Sequence, residues 1–67
     1  MPVRYSSADL IKIVEEDGWI FVRSKGSHHH FKHFIKKGIV TIVHPKKEER
    51  PGTASSVLRQ AGLKVRK

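Results

Sequence analysis

Histidine is the residue type through which this chain is best equipped to do chemistry, and four of its five histidines lie within residues 28–33. This segment reads HHHFKH and lies between stretches rich in β-branched and aromatic residues, so it is predicted to be part of a strand. Alternate side chains of a strand share a face, so His28 and His30 lie opposite Phe31. With Phe31 directed at a core, both histidines are left on the open face of the sheet.

Two familiar uses of histidine are disfavoured by the surrounding sequence. Two histidines at positions i and i+2 of a strand can share a metal ion, but the chain has no Cys and no Asp or Glu between Gly18 and Lys47. Ser27 and His28 do not predict a nucleophile and its base, because neighbouring strand residues face opposite ways. We therefore expect neither a metal nor another cofactor, and no two-metal nuclease chemistry, which needs acidic ligands.

Cleavage of RNA without a metal asks less of the protein, because RNA carries its own nucleophile, the 2′-hydroxyl. Nearby cations disfavour a charged imidazole, so His28 is expected to be neutral at pH 7, the form that a general base requires. Considered alone, however, the residues favour a simpler interpretation, in which exposed histidines at most hydrogen-bond phosphate. The candidates for holding RNA phosphates are Arg23, Lys25, Ser27, Lys32, Lys46 and Lys47.

Positive charge dominates most of the chain. Fourteen Lys and Arg residues against six Asp and Glu give a net charge of +8, with a pI near 10.3. Residues 1–17 hold two basic and four acidic residues, whereas residues 18–67 hold twelve basic and two acidic ones. A field of one sign favours a polyanionic partner such as nucleic acid. An acidic protein partner, or a basic surface with no ligand, remains open.

The length of 67 residues predicts one domain, spanning 1–67. No apolar stretch approaches the roughly 20 residues that a membrane span needs, and the first ten residues, MPVRYSSADL, lack the apolar core of a signal peptide. We therefore expect a soluble cytoplasmic protein that does not bind a membrane.

Capping signals predict two helices, at about residues 6–17 and 53–61. Ser6 is a predicted N-cap with Asp9 three residues later, and Gly18 ends the apolar stripe that follows. In the second helix Thr53 is the predicted N-cap and Gly62 the stop.

Between the helices, the apolar pattern predicts three strands at about residues 19–24, 28–35 and 39–43, joined by short turns that contain glycine. Strands grouped together between two helices predict an α+β fold, an antiparallel sheet with both helices on one face. This order resembles the double-stranded-RNA-binding domain. A shared fold does not by itself assign a function.

Four segments of the chain, taken in order, resemble the HicA family, the small mRNA-cleaving toxins of toxin–antitoxin systems. These segments run over residues 26–31 (GSHHHF), 41–47 (TIVHPKK), 51–53 (PGT) and 58–63 (LRQAGL). Each segment alone is weak, but together they are specific, and the resemblance runs in order over nearly the whole chain, from about residue 6 to residue 63. The charged stretch 47–51 departs from the more apolar version expected before PGT.

The resemblance implies an endoribonuclease that cleaves mRNA, with the double-stranded-RNA-binding-like fold and a HicB-type antitoxin as its partner. The family's catalytic histidine directly follows Gly-Ser, which falls on His28 here. The resemblance assigns no catalytic role to His29 or His30, and it leaves a second proton-transfer role for His44 open. DNA binding by the toxin alone is not expected. The alternative is a non-catalytic RNA-binding module of the same shape.

Overall fold

The computed structural model describes residues 5–63, which form two helices and three strands in the predicted order. The strands pair antiparallel in the order β1-β2-β3, which confirms the α+β fold. The predicted domain bounds of 1–67 extend past the described residues at both ends. The elements are α1 (Ser7–Glu16), β1 (Trp19–Lys25), β2 (His28–His33), β3 (Ile39–Val43) and α2 (Pro51–Gln60).

Helix α1 begins as the sequence predicts. The Ser6 hydroxyl accepts the backbone N–H of Asp9, and the Asp9 carboxylate accepts the N–H of Ser6, which completes a capping box. The latter bond is the main reason that the pKa of Asp9 lies below its ordinary value. At the other end Gly18 adopts a φ of 105°, which lets the chain leave the helix and enter β1.

The core lies between the two helices and one face of the sheet. Trp19, Phe31, Val40 and Ile42 supply the sheet side, and all four are buried. The buried helix residues against them recur at helical spacing, and they are Leu10, Val14, Ala54, Val57, Leu58 and Ala61. Because both helices cover this one face, the opposite face of the sheet has no covering layer among residues 5–63.

Helix α2 begins earlier than predicted. Its N-cap is Arg50 and its first residue is Pro51, so the prediction of Thr53 as N-cap was wrong. Proline suits the first helical position because the missing N–H would have no partner there, and it favours the extended conformation that Arg50 adopts. The C-terminal prediction holds: Gly62 N–H donates to Arg59 O, and Leu63 N–H donates to Leu58 O.

Strand β2 ends at His33, two residues before its predicted end at Ile35. The reason is a local hydrogen-bond pattern, in which His33 Nδ1 accepts the backbone N–H groups of Ile35 and Lys36 at 2.9 and 3.0 Å. These bonds fold the chain back on the ring and turn it out of the sheet.

Candidate functional site

The uncovered side of the sheet, called the open face below, has His28 at one end. His28 and Lys32 lie on this face, since both are exposed and alternate with buried Phe31 along β2. The cross-strand partners of His28 are Lys25 on β1 and Val43 on β3. The prediction that His28 and His30 share the face opposite Phe31 is confirmed.

An irregularity in β1 brings two cations to the same face. Trp19 and Phe21 pair with His33 and Phe31 on the helix side, so strict alternation would place Arg23 there as well. The register instead shifts between Phe21 and Arg23, and after the shift Arg23 pairs with His30 and Lys25 with His28. This bulge reverses the alternation and puts both cations on the open face beside the histidines.

His28 and His30 differ in what holds their rings. His30 Nδ1 lies 2.9 Å from the Thr41 hydroxyl on β3, and the His30 side chain is half-buried. His28 is exposed, and no group among residues 5–63 hydrogen-bonds its ring. Within the described part of the chain, His28 therefore keeps both ring nitrogens available to a substrate, whereas His30 has one nitrogen committed.

The other three histidines lie on the helix side of the sheet. His33 donates from Nε2 to Asp17 O at 2.8 Å, because its Nδ1 already accepts two backbone N–H groups. His44 Nδ1 lies 2.7 Å from the hydroxyl of buried Ser7, and its ring meets His29 edge to face at 5.3 Å. The sheet therefore lies between His44 and the open face that carries His28.

The remaining candidate phosphate ligands lie apart from the open face. Lys46 and Lys47 belong to the loop after β3, which passes the N-terminus of α1 and is joined to it by Ser7 N–H donating to Lys46 O at 2.9 Å. Ser27 is exposed in the turn before β2, and its carbonyl accepts the N–H of His44 at 2.8 Å. The structure thus brings Arg23 and Lys25 together with His28, and Lys32 shares their face four residues further along β2. It does not place Lys46 and Lys47 with them.

The charges around His28 are of one sign. The chain has no acidic residue between Gly18 and Lys47, so all three strands lack a carboxylate. Asp17, at the end of α1, is paired with Lys36, and that hydrogen bond holds the pKa of Asp17 below its ordinary value. In residues 5–63 no three His, Asp or Glu side chains are placed to hold a metal ion. The open face can therefore attract phosphate and offer an imidazole to it.

Sequence reasoning missed two side-chain contacts of the histidines, one on the open face and one on the helix side of the sheet. Thr41, which holds the His30 ring, could have been found from the alternation Val40-Thr41-Ile42, because a polar residue between two core residues faces outward. The contact between Ser7 and His44 joins residues 37 positions apart, and no local pattern indicates it.

Comparison with known proteins identifies one family. The family model described as HicA toxin of bacterial toxin-antitoxin matches residues 7–63 of the 67-residue chain. The match spans both helices, all three strands and each candidate site residue named above. None of the curated proteins compared with the chain matches it.

Proposed function

The chain belongs to the HicA toxin family, and from this premise we propose that it is an endoribonuclease that cleaves mRNA with His28 as its general base. Membership gives the coarser statement, that the chain is the toxin of a toxin–antitoxin system. The nuclease reaction, the catalytic residue and the identity of the antitoxin are the parts that we propose. Since mRNA is the substrate, we place the activity in the cytoplasm.

The proposed reaction uses the nucleophile of the RNA itself. His28 takes the proton of a 2′-hydroxyl, and the oxygen attacks the adjacent phosphorus while the bond from phosphorus to the 5′-oxygen breaks. The leaving oxygen takes a proton from water, so the products carry a cyclic phosphate and a 5′-hydroxyl. A single general base contributes about 10²–10⁴-fold, so slow turnover is expected.

Cations on the open face supply the second requirement, which is charge stabilisation at the phosphate. Lys25 is the cross-strand neighbour of His28, and Arg23 lies across from His30. Arg and Lys beside a pentacovalent phosphorus stabilise the negative charge that develops in the transition state. Ser27, exposed in the turn directly before His28, is the proposed hydrogen-bond donor to a phosphate oxygen.

The observation that carries this proposal is the placement of His28. It is the exposed histidine of the open face, it lies beside two cations, and nothing in residues 5–63 hydrogen-bonds its ring. A histidine that acts as a general base must accept the proton on a free ring nitrogen. Each of the other four histidines has a ring nitrogen or a ring face engaged by another group.

A HicB-type protein is the proposed antitoxin. The basic open face needs an acidic partner to mask it, and carboxylates placed near Lys25 and His28 would block the approach of RNA. In the same position they would favour the charged form of the imidazole, which cannot act as a base.

The test is cleavage of a defined mRNA in EDTA by the wild-type protein and by His28→Ala, with mapping of the new 5′ ends. We expect cleavage by the wild type, and a loss of at least 100-fold in His28→Ala. His29→Ala is the matched control, because His29 is the next residue but lies on the other side of the sheet, and it should keep most of the activity.

Two outcomes would reject the proposal. Equal cleavage by the wild type and His28→Ala would assign the base to another residue, with His44 the next candidate. Binding of RNA without cleavage by either protein would favour the alternative, a non-catalytic RNA-binding module. Circular dichroism should show the same fold for all three proteins, since His28 is exposed.

A further inference from the structure

A second surface on this small protein is built from exposed apolar side chains. Phe34 and Ile35 are 94% and 81% exposed, and Ile20 and Ile39 are 62% and 49% exposed. Together these four residues form what we call the apolar end. Scattered exposed apolar residues are ordinary, but four large ones close together in so small a chain indicate a binding surface.

The sheet register places Ile20 and Ile39 on the open face, at the opposite end from His28. Lys32 pairs with Ile20 on β1 and with Ile39 on β3, so the two isoleucines flank one lysine across the sheet. Phe34 and Ile35 follow β2 directly, beyond the pair of Trp19 with His33.

The segment that carries Phe34 and Ile35 is fastened to the body of the protein. His33 Nδ1 accepts the N–H groups of Ile35 and Lys36, and His33 Nε2 donates to Asp17 O. Lys36 Nζ in turn donates to the Asp17 carboxylate and, at 2.9 Å, to Ala61 O. These bonds hold the backbone of the segment in place, which lowers the entropy cost of ordering it against a partner.

We propose that the apolar end is the docking surface for the antitoxin, and that the antitoxin reaches from there along the open face to His28. This inference rests on the proposed function only in taking the antitoxin as the partner. It adds that the site of attachment is separate from the site of chemistry.

The chemistry of the surface distinguishes a protein partner from the other possible occupants. A second copy of this chain would bring together two proteins of charge +8, which repel each other. Single-stranded RNA binds through phosphate contacts and base stacking, and three of the four side chains are isoleucines, which do neither. A protein with an apolar contact ringed by carboxylates would match the four side chains together with Lys32 and Lys37.

The distance along the sheet is short enough for one partner to cover both ends. Lys32 and His28 are four residues apart on β2, and a strand rises about 3.3 Å per residue, so about 13 Å separates them. A standard protein interface buries about 800 Å² on each partner. A single antitoxin domain can therefore attach at the apolar end and still cover His28.

The test measures antitoxin binding and RNA cleavage separately on the full chain. The double variant Phe34→Ser/Ile35→Ser removes the two most exposed apolar side chains, and calorimetry with the purified cognate antitoxin gives the affinity. We expect the Kd to rise at least 30-fold, as for the loss of central apolar contacts. Cleavage of the same mRNA without antitoxin should stay within about twofold of wild type.

Two further variants keep the experiment decisive. Val22→Ser is the matched control, because Val22 is 48% exposed at the β1 bulge but is not part of the apolar end, and its Kd should stay within threefold of wild type. Ile39→Thr tests the same surface from within a regular strand, in case the double variant fails to fold. Threonine keeps a β-branched side chain there, and we expect about tenfold weaker antitoxin binding.

Three results would overturn the inference. An unchanged antitoxin Kd in Ile39→Thr and in the folded double variant would reject it, even if mRNA cleavage is confirmed. Weaker binding of a single-stranded RNA with unchanged antitoxin affinity would make the surface a base-stacking site. Loss of a dimer in the double variant with unchanged antitoxin affinity would make it a contact between copies.

A wild-type protein that binds antitoxin but does not cleave RNA would refute the proposed nuclease activity and leave the docking surface standing.

Discussion

At the scale of single residues, the five histidines are separated by their hydrogen-bond partners rather than by their chemistry. His33 and His44 are fixed by backbone groups and by a buried hydroxyl, and His30 is held by a threonine. His29 packs its ring against His44. Only His28, among the described residues, presents a ring with no such partner, which is the state that a general base needs before its substrate arrives.

Gly18 is a position at which we expect the addition of a single methyl group to destabilise the fold. An added Cβ would lie 2.8 Å from His33 Nε2, and the φ of 105° is strained for any residue with a side chain. We expect Gly18→Ala to lower the free energy of unfolding by about 1–3 kcal/mol. Urea unfolding measures this change.

The matched control is Gly52→Ala, in the first turn of α2. Gly52 has no positive φ, and apart from its chain neighbours and the backbone of its own helix no atom of the described residues lies within 4 Å of the position that a Cβ would take. Alanine should therefore leave the free energy of unfolding unchanged or raise it by about 0.4–1 kcal/mol. A Gly18→Ala protein as stable as Gly52→Ala would contradict the close packing of Gly18 against His33.

At the scale of elements, the sequence was sufficient to predict the structure wherever residues a few positions apart determine it. The capping box of α1, the apolar stripes and the order of the strands were all predicted correctly, because each depends on residues a few positions apart. The end of β2 and the start of α2 were not. The His33 ring accepts two backbone N–H groups of the residues that follow, which ends β2 at His33. Pro51 is the first residue of a helix whose N-cap was predicted at Thr53.

The bulge in β1 limits how much of the site could be predicted. Strict alternation from Trp19 places Arg23 and Lys25 on the core side, away from His28. The register shift after Phe21 moves them to the open face, and bulges leave no dependable mark in a sequence of one chain. Naming the cations was therefore possible from the sequence, but grouping them around His28 needed the structure.

Ser7 joins α1 to the loop that follows β3, and we expect its hydroxyl to contribute to the free energy of unfolding. The Lys46 N–H donates to Ser7 Oγ at 2.8 Å, and the same oxygen lies 2.7 Å from His44 Nδ1. Ser7→Ala would remove both of these part-buried contacts, at a cost of about 1–2 kcal/mol in the free energy of unfolding. Chemical denaturation measures the loss.

Ser56→Ala is the comparison for this change, because Ser56 is exposed on α2 and alanine has the higher helix propensity. Its free energy of unfolding should be unchanged or slightly raised. If both serine variants lose the same stability, the contacts of Ser7 do not stabilise the loop.

The pair of Lys36 and Asp17 predicts how the stability of the turn after β2 depends on pH. The hydrogen bond from Lys36 lowers the pKa of Asp17 in the folded protein, so the ionised form stabilises the fold above the unfolded pKa of about 3.9. This contribution is lost as the pH falls through the folded pKa. Wild type should exceed Asp17→Asn in stability at pH 7, and the difference should shrink as the pH is lowered towards 2.

The size of this effect should be modest. The two side chains are 35% and 26% exposed, so solvent and salt screen the pair, and we expect about 0.5 kcal/mol at pH 7 and low salt. Urea unfolding of both proteins at the two pH values provides the measurement. A gap that persists unchanged at pH 2 would show that the carboxylate charge is not its source.

At the scale of the whole molecule, the two faces of the sheet have different roles. The helices cover one face and build the core, which leaves the other face to carry cations near His28 and apolar side chains at the far end. In a chain of 67 residues, few surfaces remain for RNA and an antitoxin, so both are proposed to use the same face. Competition between them then follows from geometry, without a change of conformation.

The salt dependence of RNA binding tests whether the open face is the surface that RNA uses. Arg23, Lys25 and Lys32 are cations that the strands carry on this face, and each phosphate contact releases counterions with a slope of about −0.7 in log K against log salt for single strands. Three contacts predict a slope of about −2, measured with uncleaved single-stranded RNA on the His28→Ala protein.

Lys25→Gln in that background should bring the slope to about −1.4. Lys12→Gln removes the same charge from α1, on the covered side of the sheet, and should leave the slope near −2. Equal changes for the two lysines would mean that RNA responds to the net charge of the molecule and not to a site around His28.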